Sequence, residues 1–108
     1  MTRKELIEKL KASGSPVSST LRADYLDVNG DAGSCSVQYD IGNEFTSALG
    51  MVSAGIVAAM LDDSLSTSGA LLSGLDKRVI TLESNIHFAK SPPAGIFRAE
   101  ARTLRIND

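Results

Sequence analysis

The spacing of hydrophobic positions changes along this chain. Near the N-terminus, Leu6, Ile7 and Leu10 recur within an otherwise charged stretch. This spacing puts them on one face of a helix, so we predict a short amphipathic helix there. A Ser-Gly-Ser-Pro segment at 13–16 follows, and glycine and proline both terminate helices. We therefore expect a helix and linker over residues 1–15.

Four other segments alternate apolar and polar residues, as strands with one buried face do. The first two, 21–25 and 34–41, flank an Asn-Gly turn and are predicted to form a β-hairpin. The other two, 79–88 and 96–104, flank a proline-rich turn. Because each strand has one apolar and one polar side, an antiparallel sheet is favoured.

Between these pairs of strands lies the segment 53–72, which we predict to be one long central helix. Its first half is apolar almost all round, a pattern typical of a buried helix. Asp62 and Asp63 nevertheless follow in its middle. Burying a carboxylate costs free energy unless the group is paired or used, so these residues are the first functional candidates. A sheet with one long helix on one face is an α+β arrangement.

Composition narrows the class of protein. At 108 residues, with 43% hydrophobic and 22% charged, the chain has the size and balance of one globular domain, 1–108. A net charge of −2 argues against nucleic-acid binding, which requires a basic surface. No apolar run approaches the roughly 20 residues of a membrane span, and the charged start is unlike a signal peptide. We expect a cytoplasmic protein.

Two residues that often carry chemistry are isolated in this sequence. Cys35 is the one cysteine, which fits a reducing compartment, and we expect a small buried side chain rather than a reactive thiol. His87 is the one histidine, and no Ser-His-Asp arrangement can be assembled around it. Without a His/Cys cluster we expect no metal site.

Several segments, taken in order, resemble the hotdog-fold acyl-CoA thioesterases of the phenylacetate-degradation (PaaI-like) type. In that family, a loop with Asn and Gly leads to His-Gly-Gly or Gln-Gly-Gly at the start of the central helix, and a carboxylate follows two turns later. Here residues 47–55 read SALGMVSAG and residues 58–63 read AAMLDD. Residues 81–83 (TLE) are similar to the opening of the next strand, and 88–95 (FAKSPPAG) to the linker after it. The resemblance covers about residues 20–105.

The resemblance implies a hotdog fold, in which an antiparallel sheet wraps around the central helix. It also implies a homodimer or homotetramer with active sites at the subunit interface, and hydrolysis of acyl-CoA to free acid and coenzyme A. The family continues with two more strands after the segment 102–105, whereas this sequence stops at Asp108. We therefore expect a sheet without those last two strands. Either the sequence is a truncated fragment, or the exposed sheet edge is covered by association in an obligate oligomer.

Residue by residue, the resemblance makes Asp62 the general base or nucleophile and Thr81 the residue that orients the water. The backbone N–H of Ala54 becomes the oxyanion donor, and Gly55 allows close approach of the acyl group. A helix N-terminus has unsatisfied N–H groups and a positive dipole end, which suits a developing oxyanion. Asp63 lies about 100° further round the helix and is expected to bond a loop.

Lys90 and Arg78 are the residues expected to contact a coenzyme A phosphate. The alternative is that these side chains are simply solvated at the surface, as basic residues usually are. Coenzyme A enters as part of the substrate, and no separate cofactor, nucleic acid or membrane is expected.

Three positions depart from the family pattern. Ser47 stands where Asn is usual, Ser53 where His or Gln is usual, and Ala54 replaces the first glycine. We expect Ser47 and Ser53 to be secondary polar groups of the site; their alternative roles are a loop hydroxyl and a helix N-cap. These departures keep open a second function, a non-catalytic hotdog module that binds an acyl or aromatic molecule or acts as an oligomeric scaffold.

Overall fold

The computed structural model describes residues 1–76, 79–84, 86 and 92–105. A three-stranded antiparallel sheet of order β1-β2-β3 packs against one long helix, α3. The elements in chain order are α1 (Arg3–Ser13), α2 (Pro16–Thr20), β1 (Ala23–Asn29), β2 (Ser34–Ile41), a 3-10 helix (Asn43–Phe45), α3 (Ala54–Leu72) and β3 (Gly95–Arg102).

The predicted hairpin of β1 and β2 forms, but its first strand covers Ala23–Asn29 rather than 21–25, and its register shifts between Tyr25 and Asp27. Its turn requires Gly33, which has φ of +60° and whose Cβ, if present, would lie 2.6 Å from the Cβ of Leu72. Only glycine meets both conditions without strain. The turn is therefore packed directly against the end of α3, and this contact fixes the hairpin relative to the helix.

The concave face of the sheet and one side of α3 form the core. The alternating residues of β2 point toward the helix, and β3 continues this face with two alanines, giving a buried set of Cys35, Val37, Tyr39, Ile41, Ala99 and Ala101. The N-terminal helix is confirmed as amphipathic, with Leu6 and Leu10 buried. The expected burial of Cys35 is also confirmed.

The central helix is confirmed with one adjustment. It begins at Ala54 rather than at 53, and Ser53 occupies the N-cap position, where its side chain makes no capping hydrogen bond. Among the described residues, no helix has the length and hydropathy to cross a membrane.

The predicted strand over 79–88 is wrong for the residues of it that the structure describes. Residues 79–84 and 86 form no strand, while 85, 87 and 88 lie outside the described residues. Alternation identifies residues suited to a strand, but a strand also needs a neighbouring backbone to pair with. The described sheet holds no pairing for this segment, and Ile80 and Leu82 are 78% and 95% exposed.

Candidate functional site

A groove lies along the face of α3 that turns away from the sheet. It has a volume of about 530 Å³ and is lined on the helix side by Gly55, Ala58, Ala59 and Asp62. These positions are spaced so that all four share one face of the helix. Ser84 and Ile86, from the segment after the helix, line the groove as well. A carboxylate therefore stands at one end of a row of small side chains.

Asp62 and Thr81 are brought together at this groove. Asp62 is exposed, and the Oγ1 hydroxyl of Thr81 donates a hydrogen bond to its Oδ1 atom. Because a carboxylate accepts hydrogen bonds at both oxygens, one bond from Thr81 fixes its orientation without using all its acceptor capacity. The bond joins two residues that the resemblance assigns to one site, Asp62 as the general base and Thr81 as the residue that orients the water.

The N-terminal end of α3 is exposed to solvent. Ser53, Ala54 and Gly55 are all exposed, and the first N–H groups of a helix have no acceptor within the helix. A Cβ on Gly55 would approach only the Oγ of Ser53, at 3.8 Å. Packing therefore does not require glycine at this position, and its absent side chain leaves space beside the helix start.

Ala54 and Asp62 lie too far apart to act on one carbonyl group within a single chain. Eight residues separate them, and at 1.5 Å per residue they lie about 12 Å apart along the helix axis. A reacting atom must lie within about 3–3.5 Å of the groups that act on it. A site that uses both residues therefore needs the helix start of one copy and the carboxylate of another.

Ser47 forms hydrogen bonds within its own loop, through both its side chain and its backbone. Its Oγ accepts a hydrogen bond from the N–H of Leu49 at 3.3 Å, and its N–H donates to the carbonyl of Met51 at 2.7 Å. This geometry corresponds to the loop-hydroxyl alternative. Ser53 has the N-cap position but not the N-cap bond, so its exposed hydroxyl does not cap the helix.

Lys90 and Arg78, the residues expected to contact coenzyme A phosphate, lie outside the described residues, as does His87. Among the residues that the structure describes, no three His, Cys, Asp or Glu side chains are grouped for metal binding.

Cys35 lies in the core. Its Sγ donates to the carbonyl of Ser64 at 3.4 Å, and burial, followed by the nearby charge of Asp63, raises the thiol pKa to about 11. The neutral thiol therefore predominates near neutral pH, which is the opposite of what a nucleophilic cysteine requires.

Asp63 is the residue that sequence reasoning placed wrongly. It does not bond a loop: it is 9% exposed, its Oδ1 accepts from the Oγ of Ser18 at 2.6 Å, and its Oδ2 accepts from the Oη of Tyr39 at 2.8 Å. The donors come from α2 and β2. A tyrosine on the apolar face of β2 was the available signal, because a buried tyrosine hydroxyl usually finds a partner.

These hydrogen bonds affect the tyrosine in turn. Burial is the main cause that raises the pKa of Tyr39, and the hydrogen bond to Asp63 and the charge of that carboxylate raise it further. Tyr39 therefore stays protonated and acts as a donor to Asp63.

No protein-family model and no curated protein sequence matches this chain. Solved structures do match. A candidate thioesterase from Ralstonia eutropha JMP134, described as a phenylacetic acid degradation-related protein, has a TM-score of 0.81 and 27% identity, over 94% of this chain and 80% of that one.

Two further structures are less similar in sequence. The PaaI protein from the phenylacetic acid degradation operon of E. coli has a TM-score of 0.78 and 12% identity, over 94% of this chain and 70% of that chain. A mutant thioesterase from Pseudomonas aeruginosa has a TM-score of 0.69 and 16% identity, over 99% of this chain and 74% of that one. The chain therefore has the α+β hotdog fold, and it resembles the PaaI-like thioesterases of that fold.

Proposed function

We propose that this protein hydrolyses acyl-CoA thioesters to a free acid and coenzyme A. The observation that carries the proposal is the Asp62 carboxylate, oriented by Thr81 at the end of a groove lined by small helix residues. The similarity to structures described as thioesterases supports the same reaction. Asp62 is proposed as the general base, with direct attack on the carbonyl carbon as the variant mechanism.

In the proposed reaction, Asp62 takes a proton from water while the water oxygen forms a bond to the thioester carbonyl carbon. Negative charge then develops on the carbonyl oxygen, where the N–H of Ala54 donates to it. Collapse of this tetrahedral species breaks the C–S bond, and the proton held by Asp62 passes to the departing thiolate. The products are the carboxylic acid and the thiol of coenzyme A, so atoms and charge balance.

The geometry requires two copies of the chain. Because Ala54 and Asp62 are about 12 Å apart along one helix, we propose that Asp62 of one copy works with the helix start of another. This makes the protein a homodimer or homotetramer with its sites between subunits. Lys90 and Arg78 stay the predicted contacts of the coenzyme A phosphates, and we infer that the activity is cytoplasmic, since a lone reduced cysteine is typical there.

The groove itself favours an acyl group as the occupant. Gly55, Ala58 and Ala59 leave room along the helix, and Ile86 adds an apolar contact on the side lined by the following segment. A row of small residues that ends at a carboxylate suits an apolar tail with a reactive carbonyl at one end.

The test is thiol release from short-chain, long-chain and aromatic acyl-CoA substrates by the parent protein and by Asp62→Asn. General acid–base groups contribute about 10²–10⁴-fold, so the variant should lose that much turnover. Asp24→Asn, an exposed carboxylate on β1, is the matched control and should retain full turnover. Equal loss in both variants, or none in Asp62→Asn, would remove Asp62 from the mechanism.

A second candidate is a module that binds acyl-CoA without hydrolysing it. The observation that favours it is Ser47, a short hydroxyl side chain bonded within its own loop at the position where the resembling family has an asparagine, whose longer polar side chain would hold the water or the carbonyl. A folded parent that turns over no substrate but binds a non-hydrolysable thioether analogue of acyl-CoA would support this function over catalysis.

A further inference from the structure

The side of α3 that faces the sheet is unusual for a central helix, because most of it is small and polar. Its buried residues are Met60, Asp63, Ser64, Thr67, Ser68 and Leu71. Apolar burial is not directional, and small side chains form shallow ridges that interlock weakly with a neighbouring surface. Directional hydrogen bonds are therefore needed to fix how this helix is rotated about its axis.

Most of the hydroxyl groups on this side donate within the helix itself. Ser64 donates to the carbonyl of Leu61 at 2.9 Å, and Thr67 to the carbonyl of Asp63 at 3.0 Å. Such bonds leave the orientation of the helix undefined. Ser68 also bonds its own helix, and a 3.2 Å contact with Thr103 links it to the chain after β3.

Asp63 differs because both of its carboxylate oxygens are held by other elements. Ser18 comes from α2 and Tyr39 from β2, with O–O distances of 2.6 and 2.8 Å. Charge-assisted hydrogen bonds of this length are the stronger class. Replacing buried ion pairs by apolar residues is often neutral for stability, so a buried charge such as that of Asp63 is weak evidence for a role in stability.

We propose that Ser18, Tyr39 and Asp63 form a positioning clamp that fixes the rotation of α3 and thereby directs Asp62 into the groove. The proposal rests on the proposed function of Asp62. Neighbouring residues on a helix are about 100° apart, so the direction of Asp63 toward the core determines that of Asp62. A rotation of about 20° would move a side chain near the helix surface by about 2 Å, and a displacement of about 1 Å can cost about 10²-fold in rate.

The experiment removes the donors and leaves Asp63 in place. Tyr39→Phe and Ser18→Ala each remove one hydroxyl, and Ser64→Ala is the matched control. Ser64 is a buried serine on the same side of α3 whose hydroxyl donates to the carbonyl of Leu61 within the helix, so its substitution removes a similar hydroxyl while both bonds to Asp63 remain. Steady-state kinetics would be measured at a temperature where circular dichroism shows every variant folded.

We expect kcat to fall about 10–100-fold in the double variant that combines Tyr39→Phe with Ser18→Ala, by less in each single variant, and to stay at the parent value in Ser64→Ala. KM should change little, because the groove residues are untouched. Ser18→Thr keeps a hydroxyl and should restore most of kcat relative to Ser18→Ala. A purely structural role would lower the melting temperature of Tyr39→Phe, Ser18→Ala and Ser64→Ala and leave kcat unchanged in the folded protein, which would overturn the proposal. If the double variant does not fold, the single variants decide by the same criterion.

A second readout separates this proposal from the catalytic one. The carboxyl ¹³C resonance of Asp62, assigned with Asp62→Asn, reports the surroundings of that group whether or not any substrate is turned over. A resonance that shifts in Tyr39→Phe and Ser18→Ala but not in Ser64→Ala supports the clamp even if the parent proves inactive. A resonance at the same position in every variant contradicts the clamp even if the parent is an active thioesterase.

Discussion

Thr81 donates a hydrogen bond to the carboxylate of Asp62 across 19 positions of sequence. The donor lies after the helix and the acceptor lies on it, so the segment that follows α3 returns along the exposed face of the helix. This return creates the second side of the groove, where Ser84 and Ile86 lie. One hydrogen bond thus links the orientation of the proposed base to the shape of the proposed acyl site.

Thr81→Ala should reduce turnover without unfolding the protein. Without this donor the carboxylate loses its fixed orientation, and because a displacement of about 1 Å can cost about 10²-fold in rate, kcat should fall about 10–100-fold. Thr81 is exposed, and exposed substitutions usually change stability by less than about 0.5 kcal/mol. Thr81→Ser, which keeps the donor, should retain most activity in the thiol-release assay. Equal rates for Thr81→Ala and the parent would contradict the orienting role.

Gly55→Ala should raise the stability of the fold and lower its thioesterase activity. An added methyl group has no close neighbour, and replacing glycine in a helix stabilises by about 0.5–1 kcal/mol. The same methyl group would occupy the space beside the helix start and lower kcat/KM. Gly30→Ala is the control: its Cβ would make only ordinary contacts, at 3.5 Å from Leu6 and 4.0 Å from Leu71, and Gly30 does not line the groove, so turnover should be unchanged. Thermal unfolding and thiol release together make the test, and full activity in Gly55→Ala would show that this space is not used.

The hairpin and the central helix could be predicted from sequence because each is a local signal. The alternation in β2 and the Asn-Gly turn specify the hairpin, and the long apolar segment specifies α3. The prediction of a strand over 79–88 was wrong because it depended on a non-local contact. Its alternation is as clear as that of β2, but a strand depends on a partner backbone that the local sequence does not reveal.

Part of the candidate site could likewise be predicted from sequence, and part could not. Asp62 and Thr81 could be placed together through the resemblance of short motifs, in order, to a known family. The partners of Asp63 could not, because Ser18 and Tyr39 lie 45 and 24 positions away and no local pattern links them. Two adjacent aspartates look alike in sequence, and only the rotation of the helix makes one exposed and the other buried.

Gly33→Ala should destabilise the fold more than Gly50→Ala. Both glycines have positive φ, at 60° and 76°, so alanine costs about 1–2 kcal/mol of backbone strain at either position. Only at Gly33 would the new Cβ also overlap a neighbour, Leu72, whereas Gly50 faces open space. Overpacking adds about 1–3 kcal/mol, and urea unfolding of the two variants measures the difference. Equal destabilisation would show that the hairpin turn is not held against α3.

Stability should fall as the pH rises from about 9 to about 11. The thiol pKa of Cys35 is raised from 9.0 to about 11 in the folded protein, so between these values the folded state holds a proton that the unfolded state has lost. Unfolding then releases a proton, and the free energy of unfolding decreases with pH. Burial raises the pKa of Tyr39 and Tyr25 as well, which extends the decrease in the same direction. Urea unfolding across this range should show the loss in the parent and a smaller loss in Cys35→Ala, whereas a stability that stays constant to pH about 11 would mean that these groups ionise freely in the folded core.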